Sequence, residues 1–362
     1  ESGRTYTVVV KSTVPIGSNR RVAHVVTKVL AQRNADAKVH FASNPEFLRE
    51  GYALYDTFYP DRIVIGTESE TALRTLKEFY RPILEQSFAP PTCIPAPETR
   101  QKPPLVTTDP TSAEMIKYAS NAFLATKISF ANEIAGLCER VGADVVEVTR
   151  GMGLDSRIGP RFLGAGLGWG GSCFPKDTAA LLALAGEYGY VMPITQAARE
   201  VNAQQRRIAV EKLQEALKVL RGRTIGVLGL AFKPGTDDIR ESPAIEIIRL
   251  LTERGAHVKA HDPVAVENAR RVLADIEVEF VDDPYELAQG CDGIVLATEW
   301  DIYRALDLAK LAASMRLPVL VDGRNVYDPE EAREAGFTYL GIGRPVSHVE
   351  AERRVASAVM GA

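Results

Sequence analysis

The sequence predicts an α/β protein in which a central domain of long helices joins two parallel-sheet domains. Near both ends of the chain, short β-branched runs such as 5–11 and 223–230 alternate with helical patterns. Strands that alternate with helices in this way form parallel sheets. Between these regions one helical pattern continues from Asp109 to about Arg140, which is long for a globular helix. The predicted domains are 1–107, 108–219 and 220–362.

The first domain begins with a strand. Thr5 to Lys11 is followed by a loop and then by a helical pattern over about 18–32. A strand over 38–42, a strand over 61–66 and a helix over 69–84 continue the alternation, which predicts parallel pairing. A proline-rich segment, 89–104, ends the domain.

The long central helix starts with Asp109 as a plausible N-cap and a proline after it. It is mostly apolar all round, so it should be buried centrally, and a partner subunit could supply part of the cover. Glu114, Lys117 and Asn121 interrupt it as a polar stripe. An unpaired buried lysine costs several kcal/mol, so Lys117 needs a partner or a substrate. The alternative is a surface ion pair between Glu114 and Lys117.

A glycine-rich stretch leads into the most reactive residue of the chain. Five glycines lie within 164–171, followed by Ser172 as a predicted N-cap and Pro175 in the first helical turn. Cys173 is then at a helix start, where free amides, the helix dipole and Lys176 favour a nucleophilic thiolate. Asp177, one turn later, could handle a proton. The alternative is an inert cysteine beside a flexible turn.

The glycines at 166, 168 and 171 also spell a dinucleotide-binding pattern. That pattern requires a strand immediately before it, and 156–163 is too polar and broken to form one. These glycines are therefore not predicted to bind a dinucleotide.

The third domain opens with the strand 223–230. A helix from Ser242 to Gly255 and strands at 257–261, 293–298 and 318–321 follow. The turn after the first strand departs from the dinucleotide pattern, and Asp262 lies further on than the usual ribose-binding acid. We interpret it as a nucleotide-phosphate site with Lys233 as the phosphate ligand, although close strand–helix packing is the alternative.

Composition excludes several classes of protein. The chain has 362 residues and a formal net charge of -4, with no basic footprint for nucleic acid. No apolar run reaches membrane-spanning length and no signal peptide is visible. The cysteines at 93, 138, 173 and 291 lack metal-ligand spacing, so neither a metal site nor a disulfide framework is predicted. A cytoplasmic protein with free thiols is expected.

Taken in order, six motifs resemble the UDP-glucose/GDP-mannose dehydrogenase family over nearly the whole chain. They are STVP at 12–15, PEFLREG at 45–51, Lys117 with Asn121, GGSCFPKD at 170–177, GLAFK at 229–233 and DGR at 322–324. The residues from Phe162 to Trp169, which precede the cysteine motif, resemble those of the family branch that uses UDP-glucose. N-acetylhexosamine members usually carry a histidine where Ser172 stands.

The resemblance implies two Rossmann-like sheets and an enzyme that oxidises the primary alcohol of a UDP-sugar to a carboxylate. Two hydrides would go to two NAD molecules, through a thiohemiacetal and a thioester on Cys173. Lys117 and Asn121 would stabilise the oxyanions. Asp177 and Thr13 would orient the water, and either Asp177 or Glu46 would accept the proton.

The resemblance also implies binding roles and an assembly. A homodimer or higher homo-oligomer would form through the central helix, and Arg157 would reach the neighbouring subunit's site. The implied NAD contacts are Ser12, Thr13, Val14, Glu50, Lys176 and Arg240. The implied substrate contacts are Glu46, Phe47, Leu48, Lys117, Asn121, Arg157, Phe162, Leu163, Ala165, Gly166, Gly170, Phe232, Lys233 and Arg324.

One departure from the family is large. Its members begin with a strand and a glycine-rich turn well before the position of Thr13, and no such turn precedes Thr13 here. We therefore expect only the second half of the NAD-binding domain, with the first half missing. The alternatives are a dehydrogenase of GDP-mannose or a UDP-N-acetylhexosamine, and a non-catalytic UDP-sugar-binding fragment.

Overall fold

A computed structural model of the chain describes residues 3–345. It divides the chain into two compact units, 1–121 and 122–362. The end of the predicted third domain, 346–362, lies outside the described residues. The division into three domains stays a prediction.

The first unit is a four-stranded sheet with helices. Its sheet order is β1-β2-β3-β4. β1 pairs with β2 and β3 pairs with β4 in parallel, whereas β2 and β3 meet at one antiparallel bridge between Ser43 and Gly66. The strands are β1 (Thr5–Val10), β2 (Lys38–Ser43), β3 (Ile63–Gly66) and β4 (Leu105–Thr108), and the helices are α1 (Ser18–Gln32), α2 (Ala53–Phe58) and α3 (Glu70–Glu85).

A small apolar core holds this sheet against α3. Ala42 and Ile65 of the sheet pack with Ala72 and Leu76 of the helix. Ser69 caps α3 by accepting a hydrogen bond from the Ala72 amide. The loops at the carboxyl ends of β1 and β2 then emerge at one edge of the sheet, where ligands of parallel sheets bind.

The predicted central helix is α4, Pro110–Val141. Asp109 caps it, because its carboxylate accepts a hydrogen bond from the Ser112 amide at 3.0 Å. Within the single chain the helix is buried on one face only, so burial of its other face by a partner subunit stays a prediction. The buried face is lined with small residues such as Ala125, whereas Phe123 is 65% and Leu137 is 56% exposed in the single chain. A narrow, small-residue face lets α4 approach its neighbours closely, while several of its large apolar residues, such as Phe123 and Leu137, remain exposed in the single chain.

The second unit combines helices with a six-stranded parallel sheet in the order β10-β9-β8-β5-β6-β7. Its first helices are α5 (Val145–Gly153), α6 (Phe174–Glu187) and α7 (Pro193–Leu217). The strands are β5 (Thr224–Leu228), β6 (His257–His261), β7 (Val278–Phe280), β8 (Gly293–Leu296), β9 (Val319–Asp322) and β10 (Thr338–Gly341). The remaining helices are α8 (Pro243–Glu253), α9 (Val266–Val272), α10 (Pro284–Ala288), α11 (Asp301–Arg304), α12 (Leu308–Ser314) and α13 (Pro329–Glu334).

The central strands of this sheet carry apolar residues on both faces. β8 and β9 are buried throughout, and in β5 only Thr224 is partly exposed. The strand order reverses between β5 and β8, and such a reversal opens a crevice at the carboxyl ends of the strands. The turns after β5, β8 and β9 therefore meet where a nucleotide is expected.

Within residues 3–345, no helix is both long and apolar enough to span a membrane. The same residues contain no group of three or more His, Cys, Asp or Glu side chains placed to hold a metal ion.

Candidate active site

A pocket opens at the carboxyl edge of the sheet in the first unit. Three predicted NAD contacts, Ser12, Thr13 and Val14, line it beside Glu114 and Lys117 of α4. The remaining lining residues are Val10, Ser43 and Pro45. The end of β1, the end of β2 and the first turns of α4 thus build one polar pocket.

Lys117 is buried and paired. Its side chain is 5% exposed, and its Nζ lies 3.3 Å from Oε1 of Glu46. The other Glu46 oxygen accepts a hydrogen bond from the Leu48 amide at 2.6 Å. The alternative of a surface pair between Glu114 and Lys117 is therefore wrong, because both residues are buried and each has other partners.

Phe47 supports this ion pair from one side. The Lys117 Nζ lies 5.4 Å from the centre of the Phe47 ring, and the Arg62 guanidinium carbon lies 3.8 Å from it. An aromatic face attracts cations. The ring therefore attracts both cations and helps to fix the lysine. Asn121, one turn after Lys117, is also buried at 7% exposure.

Lys11 is a charged neighbour that the sequence reasoning missed. Its side chain is exposed by area, yet surrounding atoms remove solvation from the ammonium and lower its pKa. The charge of Lys117 lowers the Lys11 pKa further, whereas that of Glu46 raises it. Lys11 and Lys117 therefore both interact electrostatically with the Glu46 carboxylate. The available signal was the position of Lys11 directly after β1.

In the second unit, Cys173 is placed at the start of α6. It is the N-cap residue itself, with Pro175 in the first turn. The prediction that Ser172 caps this helix is wrong: the Cys173 backbone has φ -97° and ψ -62°, and no side chain caps it. The Ser172 hydroxyl instead lies 3.7 Å from the Cys173 Sγ. The thiol is exposed at an end of the helix that carries unpaired amides and a partial positive charge.

Asp177 lies one turn after the cysteine. Its amide donates to the Cys173 carbonyl at 2.9 Å, and its carboxylate is buried and paired with Lys176. Arg199 of α7 donates to the Pro175 carbonyl at 2.8 Å and so fixes the first turn of α6. The predicted cysteine, lysine and aspartate are therefore adjacent.

Side chains from two helices hold the glycine stretch in place. Asn132 of α4 accepts from the Gly166 amide at 2.8 Å. Asn202 of α7 accepts from the Trp169 amide at 2.7 Å and donates to the Trp169 carbonyl at 3.0 Å. A side chain at Gly170 would collide with the Glu241 carbonyl oxygen. The glycines therefore permit close backbone packing, and the two asparagines, which the sequence reasoning missed, set its register.

Phe162 adopts a strained backbone at the start of this stretch. Its φ is 65°, in the left-handed region that a bulky residue rarely occupies. Its ring lies 6.3 Å from that of Phe174, which packs edge-on against Trp169. Leu163 and Ala165, two more predicted substrate contacts, are buried. Strain of this kind clusters at ligand sites.

The remaining predicted substrate contacts lie at the carboxyl edge of the large sheet. The Phe232 ring packs on Gly171, and the Lys233 Nζ lies 5.4 Å above that ring. Arg324 donates to the carbonyls of Ala297 at 2.7 Å and Gly168 at 3.3 Å. The glycine stretch and the edge of the sheet therefore form one surface within the second unit.

Asp262 explains why the turn after β5 departs from the dinucleotide pattern. One of its oxygens accepts from the Leu230 and Ala231 amides and the Trp300 indole, at 2.7 to 3.1 Å. The other accepts from the Val264 and Ala265 amides. A carboxylate that already takes five donors is poorly placed to bind a ribose as well.

The residues predicted to bind NAD are divided between the two units. The hydroxyl-bearing 12–14 loop lines the first unit's pocket, and Glu50 follows Glu46 in the same loop. In the second unit, Arg240 pairs with Asp238, and its carbonyl accepts from the Gly171 amide at 2.9 Å. Arg157 is exposed and pairs with Asp155.

Two sheets of mostly parallel strands, a polar pocket at the carboxyl edge of the first sheet and a cysteine at a helix start are typical of nucleotide-binding α/β enzymes. Comparisons with protein families then identify the family. Its NAD binding domain matches residues 2–84, its central domain 111–204 and its UDP binding domain 226–329. The chain belongs to the UDP-glucose/GDP-mannose dehydrogenase family.

Curated relatives agree with this assignment. The chain is 46% identical over 341 residues to a UDP-glucose 6-dehydrogenase of Bacillus subtilis, covering 94% of this chain and 69% of the relative. It is 45% identical over 343 residues to a UDP-glucose 6-dehydrogenase of Pseudomonas aeruginosa, covering 93% and 72%.

Solved structures show the same fold. A UDP-glucose dehydrogenase from Pyrobaculum islandicum superposes with a TM-score of 0.81 at 46% identity, over 94% of this chain and 72% of that one. A UDP-D-ManNAc dehydrogenase from Pyrococcus horikoshii superposes with a TM-score of 0.76 at 27% identity, over 93% and 72%.

The match over 2–84 corrects one expectation. The chain carries a recognisable NAD-binding domain of its family, so the prediction that this domain is only a remnant without its NAD-binding half is wrong. The prediction had rested on one motif, the glycine-rich turn. The matched region includes the 12–14 loop and the 45–51 motif instead.

Proposed function

We propose that this protein oxidises UDP-glucose to UDP-glucuronate with NAD as the oxidant. The observation that carries the proposal is Cys173, exposed at the start of α6 in a glycine stretch fixed by hydrogen bonds. Curated relatives at 45% and 46% identity are named UDP-glucose 6-dehydrogenases. The ion pair between buried Lys117 and partly exposed Glu46 would supply the polar groups that the chemistry needs.

The first oxidation converts the primary alcohol of the sugar into an aldehyde. The alcohol gives up a proton, which Asp177 or Glu46 would accept, and a hydride. NAD, when bound, would accept the hydride, with a separate NAD molecule for each oxidation. The 12–14 loop would hold the cofactor beside Lys117. The Lys117 ammonium stabilises negative charge on the alcohol oxygen as the proton leaves, while Glu46 holds the ammonium in place.

The second oxidation uses the cysteine. The Cys173 thiolate adds to the aldehyde carbon and gives a thiohemiacetal, whose carbon loses the second hydride to become a thioester. Water then adds to the thioester carbon and the carbon–sulfur bond breaks, which releases the carboxylate and regenerates the thiolate. Lys117 and Asn121 donate to the oxyanion formed at each addition, and Thr13 orients the water.

Two carboxylates are candidates for accepting the proton of the attacking water. Asp177 lies one turn after Cys173 and is paired with Lys176, whereas Glu46 is paired with Lys117. Glu46→Gln and Asp177→Asn distinguish them. The variant that accumulates thioester after a normal first oxidation identifies the base.

The second unit would bind the nucleotide part of the substrate. We assign Lys233 to the pyrophosphate and Arg324 to the substrate side, with the backbone of 162–170 beneath them. Arg324 is already fixed by three partners, which gives it a single orientation.

The protein would act as a homodimer through α4. Phe123, Phe130 and Leu137 recur every seven residues along this helix, and each is 45% exposed or more in the single chain. A seven-residue apolar repeat is typical of a helix that packs along another helix. Arg157, exposed beyond α5, would then serve the neighbouring subunit's site.

The test is acid formation by Cys173→Ser, with Cys93→Ser as the matched control because Cys93 is another exposed free thiol. We expect Cys173→Ser to lose acid production, since an alkoxide is far less available than a thiolate, while calorimetry still detects UDP binding. Cys93→Ser should retain normal activity. Near-normal acid production by Cys173→Ser would exclude the covalent route.

A substrate panel separates the family's activities. Turnover of UDP-glucose above that of GDP-mannose and UDP-N-acetylhexosamines is expected, since Ser172 replaces the histidine of the N-acetylhexosamine members. Preference for one of the other sugars would move the assignment within the family. Binding of UDP-sugars without any oxidation would favour a non-catalytic role.

A further inference from the structure

The loop that carries Thr13 leads into a helix with no cap of its own. α1 begins after Gly17, which has φ 89° and no side chain to accept hydrogen bonds from the first amides. Uncapped helix starts usually receive an acceptor from a nearby side chain or from water. The acceptor here comes from a residue 97 positions later in the chain.

That acceptor is Glu114 of α4. Its Oε2 accepts from the Gly17 amide at 2.6 Å, and its Oε1 accepts from the Asn19 amide at 2.9 Å. The Ser43 hydroxyl, at the end of β2, lies 3.5 Å from the same Oε1. Glu114 is 4% exposed, so water contributes little to this arrangement. A carboxylate at a helix N-terminus also interacts favourably with the helix dipole.

The position of Glu114 connects this cap to the proposed chemistry. Glu114 lies three residues before Lys117 on α4, and both line the pocket that contains Thr13. Thr13 lies in the six-residue stretch between the end of β1 and Gly17, so fixing Gly17 limits where the Thr13 hydroxyl can lie. One helical turn of α4 therefore holds both the proposed oxyanion donor and the end of the Thr13 loop.

We propose that Glu114 is a positioning residue for the oxidation, acting through the 12–17 loop to set Thr13 relative to Lys117. This inference rests on the proposed function. The cap of α1 does not depend on that function, because it consists of hydrogen bonds from the Gly17 and Asn19 amides to the Glu114 carboxylate.

Glu114→Gln is the informative substitution. Both carboxylate oxygens act as acceptors, and glutamine offers only one, so one amide of α1 loses its partner. We expect faster hydrogen exchange at the Gly17 and Asn19 amides and a fall in kcat of about tenfold to a hundredfold with little change in KM for UDP-glucose. Glu133→Gln is the matched control, since Glu133 is an exposed glutamate of the same helix.

A double-mutant cycle separates positioning from general destabilisation. If Glu114 acts through Thr13, Glu114→Gln should cost roughly twofold or less in kcat when Thr13 is already alanine. Independent, multiplying losses would overturn the proposal. Glu114→Asp, which keeps the charge but withdraws the carboxylate, replaces Glu114→Gln if the latter fails to fold.

The exchange measurement needs no substrate. If the wild type fails to oxidise UDP-glucose but Glu114→Gln still speeds hydrogen exchange at residues 17–19, the proposed function fails while the capping role of Glu114 is supported. Unchanged exchange at these amides in Glu114→Gln would overturn the inference whatever the activity.

Discussion

The first turns of the two sheets are both fixed by a buried carboxylate, but the two carboxylates come from different places. After β1, Glu114 reaches the turn from a helix about a hundred positions away and accepts from two amides. After β5, Asp262 comes from the end of the neighbouring strand β6 and accepts from four amides and an indole. In both turns, amides that could bind an anionic ligand already have an internal acceptor.

The difference lies in what surrounds each carboxylate. Glu114 shares its pocket with Lys117 and with the Thr13 loop, so its bonds are tied to groups with proposed chemical roles. Asp262 makes bonds that join β5, β6 and Trp300 within the sheet. We therefore expect substitution of Glu114 to alter catalysis and substitution of Asp262 to alter stability.

The largest effect is expected at Lys117, in the first pocket. Lys117→Ala should lower kcat by on the order of a hundredfold or more, the usual scale for losing a donor to a developing oxyanion. UDP-glucose affinity should change much less. Lys28→Ala, which removes an exposed lysine of α1, is the control for net charge. Steady-state kinetics decide, and a variant with only a raised KM would make Lys117 a binding residue.

The next effect is expected at Asp262. Asp262→Asn places an amide group among five donors, so the free energy of unfolding should fall by about 2 kcal/mol or more. Both tryptophans, Trp169 and Trp300, belong to the second unit, so their fluorescence during urea unfolding reports on it. Asp301→Asn, at a fully exposed aspartate, is the control. Unchanged stability with lost turnover would reverse the contrast between the two turns.

The sequence predicted the elements better than it predicted what holds them together. The helix expected over 18–32 is α1, because local periodicity and the preceding Gly17 mark its start. Its cap was not predictable, since Glu114 bonds to backbone amides far away in sequence. Such bonds do not depend on the residue type that carries the amide, so the sequence does not indicate them. Lys117 was predicted to need a partner, but only the fold shows that Glu46 supplies it.

At the cysteine motif, too, the sequence predicted the helix but not the residue that caps it. Ser172 and Cys173 both precede the helix, and residue preference favours serine as the cap. The backbone makes Cys173 the N-cap, because the glycine stretch is fixed by Asn132, Asn202 and the Arg240 carbonyl before the helix begins. The motif predicted Cys173 as the nucleophile, and tertiary contacts determine where Cys173 lies.

The smallest effect is a pH dependence in the second sheet. His261, at the end of β6, is buried, with Nδ1 2.8 Å from the Tyr303 hydroxyl and Nε2 3.2 Å from the Asp282 carbonyl oxygen. Burial lowers the pKa of His261 below 6.5, while the Asp282 carbonyl and the charges of Asp262, Asp282 and Asp283 oppose the shift.

Because the unfolded chain binds a proton there that the folded chain does not, stability conferred by the neutral ring is present above pH 6.5 and declines as the pH falls. Urea midpoints from tryptophan fluorescence between pH 7.5 and 5.5 should fall for the wild type and fall less for His261→Asn. His257→Asn, at an exposed residue of the same strand, should follow the wild type. Equal slopes for wild type and His261→Asn would show that the ring takes up its proton without loss of stability.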